Sequence, residues 1–188
     1  PNPLLAAEPV NRPAAGFVRV AIETSMGTIV VATDTRRAPR TSANFLAYVD
    51  DGRFDGTTFY RAARRKEQPK LGYVQGGIRT DLRRALPPIA HEPTSQTGLH
   101  NVAGTIAMAR LDPGSARSDF FIELGDIPAF DASAADPGFA AFGHVVEGMD
   151  VVKAIFAAPR SATRGEGVMK GQMLEPAVRI LKMGRVEN

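Results

Sequence analysis

The feature that most limits what this chain can become is its punctuation. Eight short runs of strand-forming residues, at 17–23, 28–32, 57–61, 73–75, 105–110, 119–124, 140–146 and 177–183, are parted by turn chemistry rich in Gly and Pro. In the first run Phe17, Val18, Val20 and Ile22 supply an alternating apolar pattern. The second is β-branched, and Ser25-Met26-Gly27 between them reads as a hairpin turn. Only two stretches carry a helical period. Residues 38–51 have Pro39 in the first turn, Thr41 and Ser42 near the start, Gly52 as a stop, and Phe45, Leu46 and Val49 on one face. Residues 149–156 place Met149, Val152, Ile155 and Phe156 on another. Many short strands and two amphipathic helices predict a closed or nearly closed β-barrel with a helix over each open end.

At 188 residues the chain suits one domain, expected over residues 16–188. Residues 1–15, rich in Pro, Ala and Asn, have no period and read as a flexible arm of the kind that leader removal leaves. An exported, periplasmic location is the expectation, with the cytoplasm as the alternative. The chain has no Cys, which excludes disulfides, thiolate catalysis and cysteine-held zinc. No apolar run approaches the roughly 20 residues of a membrane span, so no membrane insertion is expected. The net charge of +3 is unevenly placed. Residues 60–84 hold eight basic side chains against Glu67 and Asp81, and residues 112–150 hold eight acidic ones against Arg117 alone. This pattern fits two solvated faces, or a polarised groove that orients a bound segment. A nucleic-acid partner would rest on the 60–84 cluster alone, with no aromatic interleaving beyond Tyr73, and is not expected.

Several motifs fail on inspection. His91-Glu92 begins like a zinc-protease helix, but Pro93 would break that helix and Ser95 stands where the second His belongs. The three His, at 91, 100 and 144, are not at ligand spacing, so no metal is expected. Gly114-Ser115-Ala116 lacks the second Gly of a nucleophile elbow. Asp126, Asp131 and Asp136 do not fit a calcium loop. Without nucleophile, metal or redox group, an enzyme built on this chain works by binding and electrostatics alone, and no cofactor is implied.

Four segments stand in a telling order: Phe59-Tyr60-Arg61; Val74-Gln75-Gly76-Gly77; Gly104 through Arg110 running on to Ser118-Asp119-Phe120-Phe121-Ile122; and Phe142 through Val152. In order and spacing they resemble the cyclophilin family over residues 17–184 or so. The resemblance implies a mainly β fold, an eight-stranded antiparallel barrel closed on itself and capped by two helices. It implies peptidyl-prolyl cis–trans isomerisation of proline-containing polypeptides, in aid of folding, by a monomer. Rotation about a peptide bond meets a barrier of ~18–20 kcal/mol. In the twisted transition state the prolyl nitrogen frees its lone pair, and a fixed guanidinium can donate to it more strongly there than in the ground state. By resemblance Arg61 is that catalytic group, and Gln75 holds the substrate carbonyl and helps orient the arginine. Phe121 matches the floor of the proline pocket; one Phe of the Phe120-Phe121 pair on a strand must face away from the other. Ala109 and Arg110 match the backbone edge that bonds the substrate chain.

The chain also departs from the family. Arg61 and Gln75 are 14 residues apart instead of the usual eight, with an insertion near residues 63–68. Gly72 stands for a pocket Phe, Tyr73 for a Met, Asp119 for a Gln, Ala129 for an aromatic wall, Phe130 for a Leu and Phe139 for a His. These changes predict an altered substrate pocket with weak affinity for cyclosporin-type ligands. They leave as the alternative a peptide-binding or chaperone module with little or no turnover. A carboxylate in a partly dry cleft needs a partner, so Asp119 is expected to pair with Arg61 or Arg117.

Overall fold

The structure, a computed structural model, describes residues 16–186. The expected arm at residues 1–15 lies outside the described residues. Eight strands form one antiparallel, closed barrel: β1 Phe17–Thr24, β2 Gly27–Asp34, β3 Thr58–Arg64, β4 Gly72–Gly77, β5 Thr105–Met108, β6 Phe120–Glu123, β7 Ala141–Glu147 and β8 Met173–Arg185. Around the barrel they run β1-β2-β7-β5-β6-β4-β3-β8. Three α-helices accompany them: α1 Pro39–Asp50, α2 Thr94–Thr97 and α3 Met149–Ala157.

Strand alternation fills the barrel. Val20, Ile22, Ile29, Val31, Phe59, Val74, Ile106, Phe120, Ile122 and Phe142 point inward and belong to one continuous buried cluster. Phe45 of α1 reaches into it, packing edge-on against Phe120 at 5.7 Å and tilted against Phe142 at 5.3 Å. α1 contacts β2, β7 and β8, and α3 contacts β2, β3 and β4, so the two long helices cover the barrel as their apolar faces require.

Two details of helix placement were not in the sequence pattern. The N-terminus of α1 has no side-chain cap of its own. Instead the carboxylate of Glu92, 3% exposed, accepts the Thr41 N–H at 2.7 Å, the Thr41 hydroxyl at 2.6 Å and the Arg40 N–H at 3.2 Å. The abortive His91-Glu92 motif is thus a helix cap supplied from elsewhere in the chain. The third helix, α2, is one turn of polar residues stopped by Gly98 at φ +73°; it is too short to leave a period, which is why two helices were expected.

Candidate active site

A β-bulge builds the site. Between Phe59 and Arg61 the pairing of β3 shifts against both β4 and β8. Simple alternation would put Tyr60 and Arg61 on opposite faces; the bulge turns both toward one cleft, with Phe59 and Ala62 kept in the core. That cleft, of about 640 Å³, is lined among others by Tyr60, Arg61, Tyr73, Gln75, Ala109 and Phe121.

Arg61 is only 9% exposed and its plane is fixed on two edges. Its Nη1 donates to Gln75 Oε1 at 3.0 Å, and its Nε donates to Gln172 Oε1 at 2.8 Å. The Tyr73 ring centroid lies 5.3 Å from its guanidinium carbon, near enough for a cation–π contact. Burial pushes the Tyr73 phenol pKa up, with Arg61 partly opposing.

Four aromatic rings meet beside the guanidinium. Phe121 packs against Tyr73 at 5.0 Å, Phe130 at 5.6 Å and Phe139 at 5.4 Å, and Phe130 packs on Phe139 at 4.8 Å. Phe120 faces the core and Phe121 the cleft, as the alternation of a Phe-Phe pair requires. Arg110 braces this wall. Its Nε and Nη2 donate to Gly138 O at 2.9 and 2.6 Å, its Nη1 to Leu111 O at 2.8 Å, and its guanidinium lies 4.9 Å from the Phe139 ring. The Ala109 N–H is occupied, donating to Asp119 O at 2.8 Å.

Asp119 does not pair with Arg61 or Arg117, contrary to expectation. One carboxylate oxygen accepts the Tyr60 hydroxyl at 2.6 Å; the other accepts the Ser118 hydroxyl at 2.7 Å and the Arg79 N–H at 3.1 Å. The bulge explains the error, because it brings Tyr60 to the cleft while the two glutamines turn the Arg61 guanidinium to themselves. Burial foremost, and then the Asp119 carboxylate, push the Tyr60 phenol pKa up and keep it a hydrogen-bond donor.

Gly72, matched to a pocket Phe, lies instead at the end of the β3–β4 hairpin opposite Arg64. A Cβ there would collide with the Ala63 carbonyl oxygen, so no side chain fits. The extra residues between Arg61 and Gln75 lengthen this hairpin through Ala63↔Tyr73 and Arg64↔Gly72, and leave Arg61 directly opposite Gln75. Ala129 is exposed, and the neighbouring Phe130 supplies an aromatic ring to the cleft.

Sequence reasoning missed Tyr60, Met169 and Gln172 as parts of the cleft and its support. Tyr60 lay within a recognised motif, whereas Gln172 is 111 residues from Arg61 in a segment with no motif. It also passed over Glu123. This side chain is 0% exposed, and both carboxyl oxygens are without a hydrogen-bond partner among the described residues, as is Asn101 Oδ1. Glu123 sits opposite Tyr73 across the β4–β6 ladder. Burial, with smaller contributions from Asp131 and Asp126, raises its pKa to about 9. No group of His, Asp or Glu among the described residues is arranged to hold a metal ion. The histidines have other contacts: His91 Nε2 with Pro137 O at 2.9 Å, His100 Nδ1 with Asp131 at 3.0 Å, and His144 edge-on to Phe17.

Comparison with known proteins bears on this geometry. Residues 19–185 match the family described as cyclophilin type peptidyl-prolyl cis-trans isomerase/CLD. A peptidyl-prolyl cis-trans isomerase of Acinetobacter baylyi is 36% identical over 143 residues, covering 76% of this chain and 73% of the relative. One from Streptomyces antibioticus is 39% identical over 152 residues, covering 78% of this chain and 87% of the relative. Isomerase B of Escherichia coli is 35% identical over 144 residues, covering 72% and 82%. A crystal structure of a Cryptosporidium parvum cyclophilin type isomerase superposes with a TM-score of 0.72 at 20% identity, over 92% of this chain and 99% of that one, which speaks to the fold. Barrel, family match and curated relatives agree, and the chain belongs to the cyclophilin-type peptidyl-prolyl cis-trans isomerases.

Proposed function

We propose that the cleft around Arg61 is where this isomerase turns over X-Pro bonds of polypeptides, acting as a monomer. The observation that carries the reading is a guanidinium held in one plane by two neutral amide oxygens beside a four-ring aromatic pocket. The proline ring enters against Phe121, with Tyr73, Phe130 and Phe139 around it. Gln75 gives its oxygen to Arg61, which leaves its amide N–H groups for the substrate carbonyl. As the peptide twists, the prolyl nitrogen becomes an acceptor, and Arg61 donates to it. An arginine is charged at any working pH, so the donor needs no titration. Site completeness within one chain supports the monomer. A solved relative was crystallised in the presence of the dipeptide Ala-Pro, consistent with the substrate class proposed for this chain.

The alternative of a binding module with little or no turnover rested on missing aromatic walls at Gly72 and Ala129. Tyr73, Phe130 and Phe139 stand around Phe121 in their place, which favours the enzyme. The test is isomerisation of a proline tetrapeptide by wild type, Arg61→Ala and Arg61→Lys. Arg61→Ala is expected to lose more than about 100-fold in kcat/KM, about 2.7 kcal/mol. Because Arg61 is nearly buried, the Tm of each variant is measured beside its rate, and Arg61→Lys keeps a cation in the site. A folded Arg61→Ala with wild-type turnover removes Arg61 from the mechanism.

A further inference from the structure

The guanidinium of Arg61 has a second anchor that belongs to no recognised motif. The chain enters β8 through Gly171 and Gln172, just after a short helical turn, Gly167–Met169, whose Met169 lines the cleft. β8 is tied to the reactive strand at this point. The Ala62 N–H donates to Gln172 O at 2.9 Å, and Arg61 lies opposite Met173 in the β3–β8 ladder. On the same residue the side-chain oxygen of Gln172 accepts from Arg61 Nε at 2.8 Å. Backbone and side chain of Gln172 therefore grip consecutive residues of β3.

We propose that Gln172 is a positioning residue for the isomerase reaction, fixing the plane of the Arg61 guanidinium. The inference rests on Arg61 being the donor to the prolyl nitrogen. With only Gln75, bonded at Nη1, the guanidinium could swing about that single contact. A second acceptor at Nε fixes two edges of a rigid plane, and the Tyr73 ring flanks it. Among the described residues Nη2 has no hydrogen-bond partner, so it is the donor left to reach a substrate. Fixing that donor before the peptide twists spares the reorganisation a mobile one would undergo in the transition state.

The chemistry of both anchors suits this role. An amide oxygen accepts a hydrogen bond without cancelling the charge of the donor, whereas a carboxylate would pair with it. The carboxylate that lines the cleft, Asp119, is engaged by Tyr60, Ser118 and the Arg79 backbone. Arg61 is thus oriented by neutral groups and keeps its charge for the reacting nitrogen.

The test uses the full chain and two variants, Gln172→Met, which keeps the length and loses the acceptor, and Gln172→Glu, which keeps an acceptor at the same reach. Three quantities are measured: kcat/KM on a proline tetrapeptide, the Kd of an Ala-Pro-containing peptide, and the ¹⁵N-edited NMR signal of Arg61 Nε–H, assigned by its loss in Arg61→Ala. In the wild type that proton is expected to exchange slowly with water. Gln172→Met is expected to lower kcat/KM about tenfold, or about 1.4 kcal/mol, to leave Kd within twofold, and to lose the slow Nε–H signal. Gln172→Glu is expected to retain the signal. A slow Nε–H signal surviving in Gln172→Met, a kcat/KM within twofold of wild type, or a loss of activity matched by an equal loss of peptide affinity overturns the role of Gln172. Full activity in Arg61→Ala overturns the assignment of Arg61 instead, so the two failures are told apart.

Discussion

Glu123 is the residue most at odds with its surroundings. Its carboxyl is fully buried without a hydrogen-bond partner among the described residues, and its pKa rises from 4.5 to about 9. In the unfolded chain the group loses its proton near 4.5; in the folded chain it keeps it to about 9. The raised pKa therefore contributes stability in full below pH 4.5, and that contribution is lost as pH rises to about 9. Glu123→Gln, neutral throughout, is expected to have a higher Tm relative to wild type at pH 8 than at pH 4.5, by an amount on the order of a few kcal/mol in stability. A Tm difference that does not change between those pH values would show that Glu123 does not titrate this way. Residues that line the cleft were easier to read. Arg61, Gln75 and Phe121 each lie in short motifs whose neighbours identify them. The partner of Asp119 was not legible, because the bulge at Tyr60 leaves no mark in the sequence and changes which side chain faces the cleft. Gln172 was out of reach for another reason: its meaning comes from a contact across 111 residues.

At the scale of elements, strand centres were legible and strand ends were not. β3 and β4 were expected at 57–61 and 73–75 but run Thr58–Arg64 and Gly72–Gly77, because the extra residues extend the hairpin instead of forming a free loop. β5 was expected to continue through Arg110 but stops at Met108, where Ala109 turns to bond Asp119 and Arg110 turns to brace Phe139. β8 is 13 residues long, longer than its apolar pattern at 177–183, since its first part pairs with β3 at Arg61. The start of α1 depends on a residue outside that helix. Glu92→Ala would leave the buried Thr41 N–H and hydroxyl without their acceptor. A loss of about 2 kcal/mol is expected, within the range for a helix cap or a buried unsatisfied donor. Urea unfolding of the variant checks it; an unchanged midpoint would mean that solvent or another side chain takes over the cap.

The whole molecule is one closed ring of strands, and its closure is long-range. β8 pairs with β1 as far as Val20↔Arg185, so the last strand must find the first before the barrel is complete. Such topology folds slowly, in milliseconds to seconds, and its described residues share one core. Unfolding is expected as one transition, with far-UV circular dichroism and tyrosine fluorescence coinciding. The chain has no Trp, and its three Tyr report on α1, β3 and β4. Non-coincident curves would reveal a subunit of the barrel that melts by itself. The ring also sets where the domain can be held. β1 begins and β8 ends side by side, joined by Val186 N–H to Arg19 O at 3.0 Å. In the strand order β1 stands across the ring from β6, which carries Phe121. The joined ends of β1 and β8 and the strand bearing Phe121 therefore lie on opposite sides of the ring, while Arg61 stands on β3, beside β8. A tether, a fused partner or a surface linkage attached beside residues 17 and 185 would thus join the ring across from Phe121, the floor of the aromatic cluster.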